Sequence, residues 1–309
     1  MEGEAVLKYF QHIKPIQQPT AIALGLFDGV HRGHQAVIRQ AVEGNQGLMP
    51  VVLSFHTRHA IPANKSNFSM IITDRIKQDL LEKLGVRILI EPDFVEIRDL
   101  KAEQFIQLLA DQLQVKVIAC GYNYHFGKGG KGDVDLLRKL AEPYGIQVKS
   151  MPPLLDDGEP ISSTRIRQAI AEGNIQQANC LLGYEYCFDF PVVTGAQLGR
   201  TIGLPTINQV FRSEFLIPKF GVYASYLYIG HKKYYGVTNV GVKPTVHNTS
   251  FPLAETHIIG FEGDLYGKNI KVHLLEYLRP EQKFSGIPEL KAAIQENVNQ
   301  IQQRYAKKS

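Results

Sequence analysis

Apolar positions divide the chain into two textures. Over residues 19–140, short apolar runs at 21–24, 50–54, 86–91 and 115–121 alternate with segments at 33–44, 74–84, 101–112 and 134–144 whose apolar residues recur at helical spacing. That alternation predicts parallel strands with helices on both faces, a sheet class that binds ligands beyond the carboxyl ends of its strands. A polar turn, Asp156-Asp157-Gly158-Glu159-Pro160, precedes one more helix, opened by the stretch from 161 and running to about 172. Helical character stops around 179–185. From 188 to 278 the pattern changes to β-rich runs at 190–194, 222–229, 234–240, 254–259 and 270–277, separated by turn residues. These predict an antiparallel barrel or sandwich. An amphipathic helix over 287–305 follows and is expected to pack on it. The boundary is placed near Gly183, giving domains of 1–182 and 183–309.

Composition changes this picture little. A chain of 309 residues is long enough for two domains with their own cores, and 44% hydrophobic with 21% charged residues is ordinary for a globular protein. The formal net charge of +4 is mild, so anionic small molecules suit it as well as any polymer, and no basic stripe interleaved with aromatics suggests nucleic acid. No apolar run approaches the ~18–20 residues that span a bilayer. Met1-Glu2-Gly3-Glu4 lacks the layout of a signal peptide, and the three cysteines, Cys120, Cys180 and Cys187, show no Cys-x-x-Cys pairing. A cytoplasmic enzyme with reduced thiols and no membrane partner is expected.

Three stretches carry candidate chemistry in the first half. The run 21–24 ends at Gly25-Leu26-Phe27-Asp28-Gly29-Val30-His31-Arg32-Gly33-His34, and a helix begins there. Its glycines let backbone pass close to a ligand. The two histidines, three apart, share one face at a helix N-terminus, where unpaired N–H groups and the dipole suit a phosphate. The run 115–121 ends in Gly121-Tyr122-Asn123-Tyr124-His125-Phe126-Gly127-Lys128-Gly129-Gly130-Lys131-Gly132-Asp133, either a plain surface loop or a mobile basic flap over phosphates with Asn123 near the nucleotide. In Ile161-Ser162-Ser163-Thr164-Arg165-Ile166-Arg167, Ser162 or Ser163 is a suitable N-cap; Arg165 and Arg167 either meet solvent or clamp phosphates.

In the second half, Gly199-Arg200-Thr201-Ile202-Gly203-Leu204-Pro205-Thr206-Ile207-Asn208 is not a Walker A loop. Thr206 and Asn208, two apart in an extended segment, point to one side and offer a hydroxyl and an amide oxygen of the kind Mg²⁺ accepts. The glycines there either shape barrel turns or belong to this site. Glu255 reads by residue type as a surface charge or a general base.

These motifs together carry a family resemblance. Strand, Gly-x-Phe-Asp-Gly-x-His-x-Gly-His and helix resemble the signature of HxGH nucleotidyltransferases, and the Phe-Asp-Gly form resembles the adenylyltransferase half of bacterial bifunctional riboflavin kinase/FAD synthetases. Gly121, Asn123, Phe126 and Gly127 match the family's Gly-x-(Asp/Asn)-x-x-Phe-Gly segment, and 162–167 its Ser/Thr-Ser-Thr-x-Ile-Arg stretch near the adenylyl site. Gly199, Gly203, Pro205, Thr206 and Asn208 match the riboflavin kinase motif Gly-x-x-x-Gly-x-Pro-Thr-x-Asn. Pro218 to Tyr223, Asn239 to Thr245, Glu255-Thr256-His257, Asp264-Leu265-Tyr266-Gly267 and Leu278-Arg279-Pro280-Glu281 with Phe284 resemble further kinase segments in the same order. Two departures stand out: Leu26 lies where the family often has Asn, and Ser54-Phe55-His56-Thr57-Arg58-His59 lacks the usual Phe-x-Pro-His-Pro form.

The resemblance implies a Rossmann-like nucleotidyltransferase domain with a parallel sheet, then an antiparallel kinase barrel with a terminal helix. It implies phosphorylation of riboflavin to FMN and adenylylation of FMN to FAD, with ATP, riboflavin and FMN as substrates and Mg²⁺ accompanying ATP. His31, His34, Arg165 and Glu255 are then catalytic, Glu255 as base on the riboflavin 5′-hydroxyl. Gly25, Phe27, Asp28, Gly29, Gly33, Asn123, Phe126, Gly127, Ser162, Thr164, Arg167, Gly199, Gly203, Pro205 and Arg279 bind nucleotide or flavin, and Thr206 with Asn208 holds the metal. The alternatives are the same fold with one of the two activities, or a flavin-binding protein without turnover.

Overall fold

The computed structural model describes residues 6–55, 69–195, 203–243 and 251–305. They fall into two compact units, the first drawn from residues up to 68 and 74–162, the second from 69–73 and 163 onward. The basic loop at His56–His59, Gly199 and the Pro244-Thr245 turn lie outside the described residues.

The first unit runs β1 (Lys8–Phe10), β2 (Thr20–Leu24), α1 (Arg32–Val42), β3 (Met49–Leu53), α2 (Asp74–Lys83), β4 (Ile88–Ile90), α3 (Phe94–Ile97), α4 (Ala102–Leu113), β5 (Val115–Gly121), α5 (Val134–Ala141) and β6 (Gln147–Met151), then a small hairpin of β7 (Leu155–Asp156) and β8 (Glu159–Pro160). Among the described residues the main sheet has six strands in the order β1-β4-β3-β2-β5-β6, all parallel. Alternate strand residues (Ile22, Leu24, Val51, Leu53, Ile118) join Phe105, Leu109, Leu113 and Leu137 of α4 and α5 in one buried cluster. Each such side chain contributes roughly 1.5–3 kcal/mol when fully buried. Their neighbours Ala21, Ala23 and Ala119 point to the other face, where small side chains leave room for α1 with its buried Val37, Ile38 and Ala41. From β2 the chain steps outward to β3 and β4, then returns to place β5 on the opposite side of β2. The β2/β5 junction is therefore the switch point where open α/β sheets bind ligands. Both glycine-rich stretches of this half leave the sheet there.

The second unit opens with α6 (Ser163–Glu172) and α7 (Ile175–Leu182), which stops at Gly183 with φ 78°. Asn179 docks α7, donating to the Leu274 carbonyl (3.0 Å) and accepting from the Tyr186 N–H (2.7 Å). Then follow β9 (Cys187–Phe188), β10 (Val192–Val193), β11 (Thr206–Val210), β12 (Gly221–Ile229), β13 (Lys232–Lys243), β14 (Phe251–Ile258), β15 (Val272–Arg279) and α8 (Ile287–Tyr305). Among the described residues, seven strands form an antiparallel sheet in the order β10-β11-β14-β13-β12-β15-β9. Laid flat, its outer strands would lie roughly 29 Å apart at ~4.8 Å per strand step. Only residues 189–191 join β9 to β10, and such a link spans at most roughly 14 Å. The sheet must therefore curl until its ends meet, giving a barrel. Gln209 fastens the seam: its fully buried side-chain amide donates to the carbonyls of Phe190 (2.5 Å) and Ile270 (2.8 Å). The interior contains a satisfied hydroxyl ladder, Ser225–Thr238–Thr256, at 2.8 and 2.9 Å. α8 covers part of the outer face through Val298 and Ile301 on Val222, Ala224 and Val237.

Candidate active sites

The turn after β2 is strained. Phe27 (φ 52°) and Val30 (φ 36°) hold the left-handed conformation beside Gly29 (φ 79°). For non-glycine residues, and above all a β-branched valine, this costs of order 1–3 kcal/mol each and has to be imposed by surroundings. Phe27 is 2% exposed, its ring seated over Gly25, where a Cβ would come within 2.9 Å of the ring. The Val30 N–H closes the turn onto the Phe27 carbonyl (3.2 Å), and Gln35 donates to the Val30 carbonyl (2.9 Å). Asp28 is buried in the same turn.

His31 caps α1. Its Nδ1 accepts from the backbone N–H of His34 (3.3 Å), so a neutral His31 carries its proton on Nε2. The two imidazoles stack with centroids 3.5 Å apart and planes 20° from parallel, and Phe27 meets His34 edge-on at 5.4 Å. At Gly33 an added Cβ would lie 3.2 Å from the His31 ring, so this glycine provides the space in which the pair stacks. Arg32 reaches Asp156 in the β7–β8 hairpin (3.8 Å).

The loop after β5 is a pinched hairpin: Phe126 and Gly132 exchange backbone hydrogen bonds of 3.0 and 2.9 Å. Asn123 is exposed at its base. The Phe126 ring points into the core against Phe105 (5.8 Å), which anchors the hairpin to the sheet. Gly127 (φ 72°) abuts the start of α4, where a Cβ would sit 3.1 Å from the Ala102 nitrogen. Ser162 ends the first unit, while Thr164, Arg165 and Arg167 stand in the opening turns of α6, in the second. Thr164 is exposed, and the half-buried Arg167 donates to the Ser69 carbonyl (2.8 Å).

In the barrel, strand register assembles the other set. Asn208 of β11 faces Glu255 of β14, Glu255 faces Asn239 of β13, Asn239 faces Val222 of β12, and Val222 faces Arg279 of β15. Directly opposed residues of antiparallel strands share a face, so Asn208, Glu255, Asn239 and Arg279 form one row across the outer face. Thr206, opposite His257, belongs to the next row of the same face. His257 Nδ1 donates to the Pro205 carbonyl (3.0 Å), fixing the approach to Thr206. Gly195 lies against the Asn208 amide, where a Cβ would come within 2.5 Å. Gly203 (φ 76°), Pro205, Thr206 and Asn208 line a cleft of about 390 Å³ with Phe261 and Asp264. At the far end of the row Arg279 donates to Asn297 of α8 (3.2 Å) and lies 5.8 Å over Phe284. Burial lowers the Arg279 guanidinium from its ordinary value, and nearby Tyr277 raises it.

Two family models match successive stretches of the chain. FAD synthetase matches residues 13–165, and riboflavin kinase matches residues 182–305. Curated bifunctional riboflavin kinase/FMN adenylyltransferases match nearly end to end: that of Listeria monocytogenes is 33% identical over 93% of this chain and 92% of its own, and that of Escherichia coli K12 37% over 90% of each. That of Bacillus subtilis is 34% identical over 92% of each. The chain belongs to this bifunctional family. It carries both activities, riboflavin kinase and FMN adenylyltransferase, and neither the single-activity alternative nor the non-catalytic one is favoured. A crystal structure named as a macrolide-efflux protein from Streptococcus pneumoniae superposes with TM-score 0.83 at 29% identity, covering 95% of this chain and 98% of that one. Its name describes that protein; the likeness here is one of fold. Among the described residues no helix is long and apolar enough to cross a membrane.

One set of buried polar residues carried no motif. Lys77 of α2, Glu91 after β4 and Ser54 after β3 meet under the turn that follows β2, all at least nine-tenths buried. The available signal was a lysine among Ile76, Leu80, Leu81 and Leu84, on the apolar face of a helix.

Proposed function

We propose that residues 1–182 adenylylate FMN, residues 183–309 phosphorylate riboflavin, and each reaction uses the residues gathered above. In the first, an oxygen of the FMN phosphate attacks the α-phosphorus of ATP. The new P–O bond forms as the bond to the bridging oxygen breaks, and pyrophosphate leaves with that electron pair. No covalent enzyme intermediate is needed. His31 and His34 stabilise the charge that builds on the phosphoryl oxygens, with donors already oriented by the α1 cap. The Gly25–Gly29 turn and Gly33 bring backbone close to the nucleotide, and Asn123, Gly127, Ser162 and Thr164 are assigned to nucleotide binding. Arg165 and Arg167 hold phosphates, for which a guanidinium fork is suited. The stacked His31/His34 pair at the head of a helix on the sheet's switch point is the observation that carries this reading.

In the second reaction the riboflavin 5′-hydroxyl attacks the γ-phosphorus of ATP, Glu255 takes the hydroxyl proton, and ADP leaves. Thr206 and Asn208 offer a hydroxyl and an amide oxygen, hard donors that fit Mg²⁺. When bound there, the ion supplies charge neutralisation on the phosphates. Gly199, Gly203 and Pro205 shape the nucleotide cleft, and Arg279 holds the flavin or nucleotide at the other end of the row. The reading entails a cytoplasmic protein whose partners are ATP, riboflavin and FMN, without nucleic acid or membrane.

Chromatographic product analysis tests it. With MgATP, riboflavin should yield FMN and then FAD, and FMN alone should yield FAD. His31→Ala or His34→Ala should stop at FMN; Glu255→Gln should still convert FMN to FAD but leave riboflavin untouched. Chelating the metal should abolish FMN formation. Full FAD synthesis by a folded His31→Ala protein would sink the assignment of the first site.

A further inference from the structure

Beneath the turn after β2 lies a closed polar network that the chemistry above does not use. Lys77 Nζ donates to Glu91 Oε1 (2.6 Å), Ser54 Oγ (2.7 Å) and the Leu26 carbonyl (2.9 Å), and Ser54 Oγ donates to that same carbonyl (2.8 Å). All three hydrogens of the ammonium are thereby engaged. Lys77 is 7% exposed, Glu91 3% and Ser54 0%. Stability is a poor explanation for the arrangement. A buried ion pair is commonly matched or bettered by apolar residues of similar volume, and Glu91 Oε2 is buried with no hydrogen-bond partner among the described residues.

The target of the network is informative. The Leu26 carbonyl belongs to the peptide plane that leads into Phe27, so fixing it fixes the plane from which Phe27 turns into the left-handed region at φ 52°. The Phe27 ring, buried over Gly25, in turn presses its edge against His34. A path of contacts thus runs from Lys77 through Leu26 and Phe27 to one ring of the stacked pair.

We infer that Lys77, Glu91 and Ser54 are positioning residues for adenylyl transfer: they clamp the Leu26 carbonyl, hold the strained turn and set the His34 ring on His31. Glu91 aims the lysine, and Ser54 makes the second hold. None of the three touches substrate. The inference rests on the reading of the His31/His34 turn as the adenylyl-transfer site.

Replacing the whole pair is the decisive experiment. Lys77→Met with Glu91→Leu removes the clamp but leaves no buried charge, so melting should stay near that of the parent protein. Transition-state stabilisation should suffer instead: kcat for FAD formation from FMN should fall about tenfold to hundredfold, with the KM values for FMN and ATP little changed. The riboflavin kinase rate of the same chain should be unaffected. Parent-like melting together with parent-like FAD formation would overturn the inference and leave the pair a structural element. Should the double variant fail to fold, Ser54→Ala removes one hold without altering charge; melting should fall modestly because one ammonium hydrogen loses its acceptor, kcat for FAD formation should fall while the riboflavin kinase rate of the same protein holds, and an unchanged kcat would equally overturn the clamp. His31→Ala run alongside separates the two readings. If it keeps FAD formation, the turn is not the site and the clamp falls with it; if it loses activity while the clamp variants keep theirs, the clamp alone is wrong.

Discussion

A single methyl group tests each site. At Gly33 an alanine Cβ would press at 3.2 Å on the His31 ring. Displacing that ring by a fraction of an ångström should lower FAD formation by one to two orders of magnitude, leaving riboflavin phosphorylation intact. Gly195→Ala should do the reverse: its Cβ would overlap the Asn208 amide at 2.5 Å, so FMN formation should fall while FMN is still converted to FAD. Both are read by the same product assay. Thiol chemistry gives a third check. Burial pushes the Cys120 thiol up to about 11, against a small opposing pull from Arg138, so it is protonated at neutral pH and shielded from reagent. Exposed Cys180 should therefore be alkylated first at pH 8 by iodoacetamide, with Cys120 modified only on unfolding, as peptide mass mapping would record. At this scale the chain was most legible where local spacing does the work: the three-residue interval of His31 and His34, and the two-residue interval that puts Thr206 and Asn208 on one face. It was least legible where partners are distant. Lys77 and Glu91 are fourteen positions apart on separate elements, and nothing local shows that a lysine amid apolar neighbours has a buried carboxylate waiting.

Among elements, the central strands were the legible ones, whether buried on both faces like β2 or alternately buried like β14. Ala21 to Leu24 is a continuous apolar segment and Val115 to Gly121 is broken only by the exposed Lys116, and the observed β2 and β5 cover them. The terminal helix occupies Ile287–Tyr305, the range its amphipathic period predicts. Edge strands escaped. β1 and β6 each pair on one side only and are half polar, and β9 is two residues long; pairing, not hydrophobic period, makes them strands, whereas β10 (Val192–Val193) lies inside the β-rich run at 190–194. The choice between barrel and sandwich was likewise not local, since it turns on which strands lie at the ends of the sheet. Gln209 is the element-scale test of closure. Gln209→Leu leaves two buried carbonyls without their donor, and each unsatisfied group costs about 1–3 kcal/mol. Denaturation by urea should show a loss of about 2–4 kcal/mol in the barrel transition, with FMN formation lost at lower denaturant than in the parent.

At the scale of the molecule, the two activities match successive stretches of the chain, residues 13–165 and 182–305, and share a diffusible intermediate. Variants blocked in one half should therefore rescue one another. His31→Ala protein should make FMN and stop, and Glu255→Gln protein should be unable to start. Mixed with riboflavin and MgATP, the two should produce FAD, at a rate that rises with the concentration of the second protein. A mixture that accumulates FMN without FAD would mean that FMN must be handed on within one chain. The order of motifs along the sequence already separated the two activities, because each half carries its own nucleotide signature. The partition of contacts was not legible in the same way: it falls between Ser162 and Ser163, inside the Ser-Ser-Thr-Arg stretch that reads as one motif.

Five residues from the first half of the sequence belong to the second unit. Met70 pairs with Phe215 and exchanges backbone hydrogen bonds with Glu214 and Leu216, Thr73 donates to Asp189 (2.6 Å), and Ile71 and Ile72 are buried. As the chain emerges from the ribosome, these residues appear more than a hundred positions before the ones that cover them. Until the barrel strands have been translated, two isoleucines and a methionine are left for chaperones to shield. An N-terminal fragment ending before the barrel would expose them permanently. Its tendency to aggregate would then reflect a missing cover from late in the gene, and would say nothing against the soundness of the parallel sheet.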